Sequence, residues 1–235
     1  GLTREFDILA YKTATYFNVT LFTALIIECK FNPHKIVFYA RSLPKAQICL
    51  PQYYVGDFIK GFMQPSDFVG FFKNIKQHKS LFISSEQVFG YQIFEKTEIA
   101  KRTSSGKIKK DINFKPRQEL SEKMIFGAIN TVVQATKYEQ QIRDQSKSTA
   151  DFIMFFPIVV FSGELYKGSL TGRKTLKSQS IFRYRTGMAK SDKEVFDEFD
   201  IYICSVSSFV YLIKAFAYAN NRFWKLMVQK IKSKK

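Results

Sequence analysis

Residues Phe152–Phe161 (FIMFFPIVVF) form an unbroken apolar run, and that run restricts the fold more than any other segment. A strand with one wet face alternates polar with apolar side chains. A strand that is apolar at every position has to be covered on both faces. A second segment, Val19–Lys30 (VTLFTALIIECK), is apolar and β-branched and ends abruptly in charge. Helices are available as covers. Across Gln118–Arg143, the residues Ile125, Ala128, Ile129, Val132 and Val133 recur at three- and four-residue steps, which gives one apolar face. Phe209, Leu212, Ile213, Phe216, Phe223, Trp224, Met227 and Ile231 stripe a basic C-terminal helix in the same way. The expectation is a single α/β (α+β) domain over residues 1–235, with a mixed β-sheet flanked by helices.

Weaker signals fill in the rest. Arg4–Tyr11 and Lys35–Arg41 read as strands on either side of Val19–Lys30, with a turn at Asn32-Pro33, so the first three strands are expected to form an antiparallel meander. Asp57–Phe72 has room for a short helix and Ser80–Ser84 for a short strand, while Gln179–Arg185 and Phe199–Ser205 are further strands. Glu95–Arg117 sets eight Lys/Arg against three acids around Ser104-Ser105-Gly106, and is expected to be a flexible basic loop or arm at about 95–117.

Charge narrows the function. The 37 Lys+Arg and 20 Asp+Glu give a formal net charge of +17. A field of that sign concentrates polyanions, of which nucleic acid is the commonest. Three widely spaced cysteines offer neither a disulfide framework nor a CxxC zinc knuckle, and two histidines leave little for His-based catalysis. The longest apolar stretches fall short of the ~18 clean residues of a membrane span. No signal-peptide pattern opens the chain, so a cytoplasmic protein with no membrane partner is expected.

The residues that carry chemistry are Asp7 and the tripeptide Glu28-Cys29-Lys30, whose Glu-x-Lys is the only Asp/Glu-x-Lys in the sequence. Strand alternation puts Glu28 and Lys30 on one face and Cys29 on the other. An antiparallel hairpin of the first two strands would then bring Asp7 opposite Glu28. Two carboxylates beside one ammonium suit a hard divalent cation and the charge of a phosphodiester. The plainer alternative is a solvated strand end.

Arg4-Glu5-Phe6-Asp7-Ile8-Leu9-Ala10 together with Leu25-Ile26-Ile27-Glu28-Cys29-Lys30 resembles the core of the PD-(D/E)xK, restriction-endonuclease-like nuclease superfamily, and within it the Mrr-type branch. The resemblance implies a mixed sheet flanked by helices and a Mg²⁺ (or Mn²⁺) ion held by Asp7, Glu28 and the backbone carbonyl of Cys29. It also implies a catalytic Lys30. Gln134 and Tyr138, spaced as Gln-x-x-x-Tyr on the predicted helix, fit an accessory motif of such nucleases. The implied activity is metal-dependent hydrolysis of DNA, as an endonuclease in restriction, defence or repair. The alternative is a non-catalytic nucleic-acid-binding module that retains the fold. Lys107, Lys109, Lys110, Arg173, Lys174 and Lys177 are the expected DNA contacts. A second copy of the chain or a partner protein of a defence system would complete the assembly. Such nucleases commonly carry an acid on a helix ahead of the first core strand; here Glu5, on the same strand face as Asp7, is the residue placed to substitute.

Overall fold

The apolar run becomes the middle of a sheet. The structure, a computed structural model, describes residues 7–17, 19–32, 34–102, 108–146, 151–168, 176–190 and 193–233. The chain begins β1 (Ile8–Tyr16), β2 (Val19–Lys30), β3 (Lys35–Ile48), β4 (Gln52–Val55), α1 (Asp57–Lys60), α2 (Pro65–Lys73) and α3 (Lys79–Phe82). A long strand β5 (Ile83–Arg102), β6 (Ile108–Pro116), α4 (Gln118–Leu120), a π-helical turn (Ser121–Phe126) and α5 (Gly127–Ser146) follow. It ends β7 (Asp151–Phe161), β8 (Leu165–Gly168), β9 (Leu176–Ser178), β10 (Ile181–Lys190), β11 (Lys193–Ser205) and α6 (Val206–Ser233). This is an α+β arrangement with two mixed sheets.

The first sheet runs β1-β2-β7-β11-β10, with the short β4 also on β7. β7 pairs in parallel with β2 along its whole length and with β11 at its end. Phe152, Met154, Phe156, Ile158 and Val160 join one buried cluster with α2 and α6, through residues such as Phe68, Phe72, Phe216 and Phe223. Ile153, Phe155, Val159 and Phe161 join a second cluster with α5 and the other sheet. The unbroken run is therefore double-faced, as its composition requires. The helical stripe is buried as expected, with Ile125 in the π-helical turn and Ala128, Ile129, Val132 and Val133 in α5 all at most 3% exposed.

Four expectations are corrected. First, the meander stops after two strands. β1 and β2 pair antiparallel, but β3 enters the second sheet, β6-β5-β3-β8-β9. Ile36, Val37 and Phe38 are consecutive and all buried, which suits a central strand better than a third strand on the β1 edge. Second, the described residues of 95–117 are not a loop. β5 and β6 form a ladder there from Phe94↔Pro116 to Arg102↔Ile108. Third, Ser80–Ser84 begins as the short helix α3, which buries Leu81 and Phe82, and only then turns into β5. Fourth, the Asp57–Phe72 helix is broken into α1 and α2, with Pro65 starting the second. The predicted strand over Arg4–Tyr11 starts at Ile8, and Arg4–Phe6 lie outside the described residues. None of the described helices is long and apolar enough to cross a membrane.

Candidate active site

The β1–β2 hairpin sets the site. Its register puts Ile8 opposite Ile27, and one step outward an unbroken ladder would set Asp7 opposite Glu28. The ladder has frayed to a bend at Asp7. Its side chain replaces the missing backbone partner, and Asp7 Oδ2 accepts the Cys29 N–H at 2.6 Å. This charge-assisted bond ties the Asp7 carboxylate to the middle residue of Glu28-Cys29-Lys30.

Glu28 lies on the β2 face that carries Ala24 and Ile26 into the α5 core. It is only 4% exposed. One of its oxygens, Oε1, pairs with the Lys30 ammonium, in keeping with the alternation that puts both on one face. The other, Oε2, is buried and has no hydrogen-bond partner among the described residues. A buried carboxylate oxygen without a donor is costly, and it is a position at which a water, an ion or a ligand can supply the partner. Lys30 is about one-third exposed and so stays within reach of a ligand that approaches from solvent.

Cys29 projects from the opposite face and is exposed, not the buried small hydrophobe that its apolar strand suggests. Its thiol is pushed above the ordinary value by partial burial first, then by the charges of Asp7 and Glu28, with Lys30 opposing. Both carboxylates thus act on the same few atoms. A raised thiol pKa leaves less of the nucleophilic thiolate.

The loop beyond Lys30 is pinned. Ser162 N–H donates to the Lys30 carbonyl at 3.1 Å, and Ser162 Oγ accepts the Asn32 N–H at 2.8 Å. The buried Asn32 side chain bonds the backbone of His34 twice, at 3.1 Å each. Gly163 packs so close to this loop that a Cβ there would overlap the Asn32 carbonyl oxygen and lie 2.7 Å from that of His34. In the sequence Asn32 and Ser162-Gly163 read only as turns, because their joint role at this junction depends on contacts that only the fold brings together.

The other candidates are dispersed. Tyr138 is 59% exposed, and no contact among those described joins it to Asp7, Glu28 or Lys30. Gln134 is half-buried one turn earlier on the same helix. One α5 residue that does reach β1 is Glu139, 8% exposed, which accepts a hydrogen bond from Tyr11 Oη at 3.0 Å. Tyr11 is four residues along β1 from Asp7 and on the same strand face. Its hydroxyl is pushed up by burial and by Glu139, with Arg143 opposing. An acid on an otherwise apolar helix face was the available signal for Glu139. Lys177 is exposed on β9, and Lys109 and Lys110 are in β6. Glu5, Lys107, Arg173 and Lys174 lie outside the described residues.

Among the described residues no group of three or more His, Cys, Asp or Glu could hold a metal ion. What the hairpin offers is two carboxylates, one with a buried oxygen lacking a donor, and no imidazole; its one soft atom, the Cys29 thiol, projects from the opposite face. That donor set fits a hard cation of the Mg²⁺ class, which binds through one or two carboxylates and takes its remaining ligands from water and a phosphate. No family model, curated protein or solved structure matches the chain.

Proposed function

We propose that the chain is a metal-dependent nuclease with a restriction-endonuclease-like core, hydrolysing phosphodiester bonds of DNA at Asp7, Glu28 and Lys30. The observation that carries this reading is the buried Glu28 Oε2, left without a donor beside a carboxylate fixed on the adjacent amide. Asp7, Glu28 and the Cys29 carbonyl would hold Mg²⁺ or Mn²⁺, whose contribution when bound is Lewis-acid offset of charge on the scissile phosphate. The remaining work falls to the chain. Asp7, held by the Cys29 N–H, keeps its carboxylate aimed at the end of β2. Lys30 begins paired with Glu28 and is exposed enough to meet a phosphate. Its ammonium stabilises the negative charge that grows in the transition state. The net charge of +17 concentrates DNA at the surface before any specific contact forms.

The second reading, a nucleic-acid-binding module that does not cleave, is favoured by one observation. The described residues supply two carboxylates at the site and no third metal-binding side chain. Incubation of the protein with plasmid and linear duplex DNA in Mg²⁺ or Mn²⁺, with EDTA as control, separates the two. Cleavage that needs the cation and disappears in Asp7→Asn supports the nuclease. Tight binding with no cleavage in either metal supports the module.

A further inference from the structure

The residue after Lys30 is Phe31, and its side chain is 80% exposed, the most of any large hydrophobic side chain among the described residues. A single apolar residue on a surface is ordinary. This one is set apart by how its backbone is held. On one side the Lys30 carbonyl accepts the Ser162 N–H at 3.1 Å, and on the other the Asn32 N–H donates to Ser162 Oγ at 2.8 Å. These two bonds extend the parallel β2–β7 ladder past its last pair, Lys30↔Phe161, with a serine hydroxyl where a backbone carbonyl would stand. Gly163 packs against the Asn32 and His34 carbonyls without room for a Cβ, which fixes the same junction.

A bare ring on a fixed backbone is a stacking surface made in advance. A loop that had to be ordered would lose conformational entropy on binding, whereas this one is ordered already. The alternation that gives Glu28 and Lys30 one face of the strand gives Cys29 and Phe31 the other, and Cys29 is exposed too. The end of β2 thus offers an ammonium and a flat apolar ring on successive residues, whose Cα atoms are about 3.8 Å apart. A ligand that uses both needs an anionic group and a flat apolar face within one small unit. A nucleotide has both, in its phosphate and its base. Phenylalanine carries no hydrogen-bonding side-chain group, so it reads no base edge and accepts any base. Inside a duplex each base face is already covered by its neighbours, and baring one costs unstacking energy.

We infer that Phe31 stacks on an unpaired base beside the phosphate on which Lys30 acts, so that the protein engages DNA where a strand is single or frayed, with no sequence preference at that base. This rests on the nuclease reading for its substrate and adds the strandedness.

The experiment measures binding in EDTA, where catalysis plays no part, to one DNA sequence as a single strand and as a blunt duplex. Phe31→Ala is expected to weaken binding of the single strand about tenfold, within the usual effect of removing one stacked aromatic, and to change duplex affinity less than about twofold. Phe31→Trp widens the flat face and should bind the single strand at least as well as wild type. Phe31→Leu keeps apolar bulk without a flat face and should fall with Phe31→Ala. All three should melt within about 2 °C of wild type, as substitutions of an exposed side chain do. Unchanged single-strand affinity in Phe31→Ala would overturn the inference, and so would an equal loss on both ligands or full binding by Phe31→Leu. If wild type cleaves in Mn²⁺ while Phe31→Ala binds the single strand as wild type does, the stacking role fails and the nuclease reading stands. If the binding results are as expected and wild type cleaves neither ligand in Mn²⁺, the nuclease reading fails and the stacking role stands.

Discussion

The Asp7 carboxylate accepts the Cys29 amide proton at 2.6 Å across the open end of the β1–β2 hairpin. That bond places one carboxylate by backbone geometry and leaves the other, Glu28, to be placed by its strand. Both acids come from the hairpin, so no third element has to supply either one. A local antiparallel pair of this kind forms early and holds its register through the apolar face it buries.

Asp7→Asn separates the structural role of that bond from the chemical one. The amide oxygen still accepts the Cys29 N–H, so the hairpin should hold and duplex-DNA affinity in EDTA should stay within about twofold, because phosphate contacts elsewhere carry the binding. Cleavage should fall below detection. Saturating Mn²⁺, about a hundred times its dissociation constant, should stabilise wild type by about 2.7 kcal/mol and leave the variant's melting temperature unchanged. Cleavage at the wild-type rate by Asp7→Asn would remove the site from consideration.

Lys30 distinguishes a working site from a charged strand end. Its ammonium acts on charge that grows after the substrate is bound, so Lys30→Ala should lower the single-turnover rate about 10²-fold with little change in DNA affinity. Lys30→Arg should recover only part of this, because a planar guanidinium does not replace a compact ammonium. A solvated strand end would show about half a kcal/mol in stability and no change in rate.

Gly163 is a test of the scaffold. Any Cβ there meets the Asn32 and His34 carbonyl oxygens, so Gly163→Ala has to displace the loop that follows Lys30. A loss of about 1–3 kcal/mol in a urea titration is expected, the usual range for overpacking. The cleavage rate should fall as well, since the Ser162–Lys30 bond belongs to the same junction. A variant as stable and active as wild type would show that this junction is soft.

What the sequence revealed, and what it withheld, follows from the range of each signal. β7, α5 and α6 were legible because a double-faced apolar run and a helical stripe state their own burial. The β1–β2 hairpin was legible because it is a local structure whose register follows from alternation. β3 was misplaced because Ile36, Val37 and Phe38 state that they are buried without stating beside which strand. The β5–β6 ribbon reads as a loop because alternation there is broken by charge, and its strand pairing shows only in three dimensions. Glu139 reaching Tyr11, and Ser162 reaching Lys30 and Asn32, join residues more than a hundred positions apart. No local pattern predicts contacts of that range.

The two buried thiols give the protein a pH dependence with a definite sign. Cys204, on the β11 face that packs against α6, is pushed up to about 12, by burial first and then by Cys29. Cys49 is pushed up to about 11, by burial and then by Asp200, with Arg183 and Arg185 opposing. An unfolded thiol titrates near 8.5. Above that pH the unfolded chain releases protons that the folded chain keeps, so the folded state binds more protons and stability falls as pH rises. The contribution is fully present below about pH 8.5. It is lost progressively up to about 11 for Cys49 and about 12 for Cys204. Lys and Tyr titrate over the same range, so the comparison that isolates one thiol is wild type against Cys204→Ala. That variant should be less stable at neutral pH, because it leaves a small cavity. Between about pH 8.5 and 10.5, however, it should lose about 2 kcal/mol less than wild type by urea titration. Parallel losses in the two proteins would mean that Cys204 ionises as readily in the folded state as in the unfolded one, and that the α6 face of the sheet is open to water.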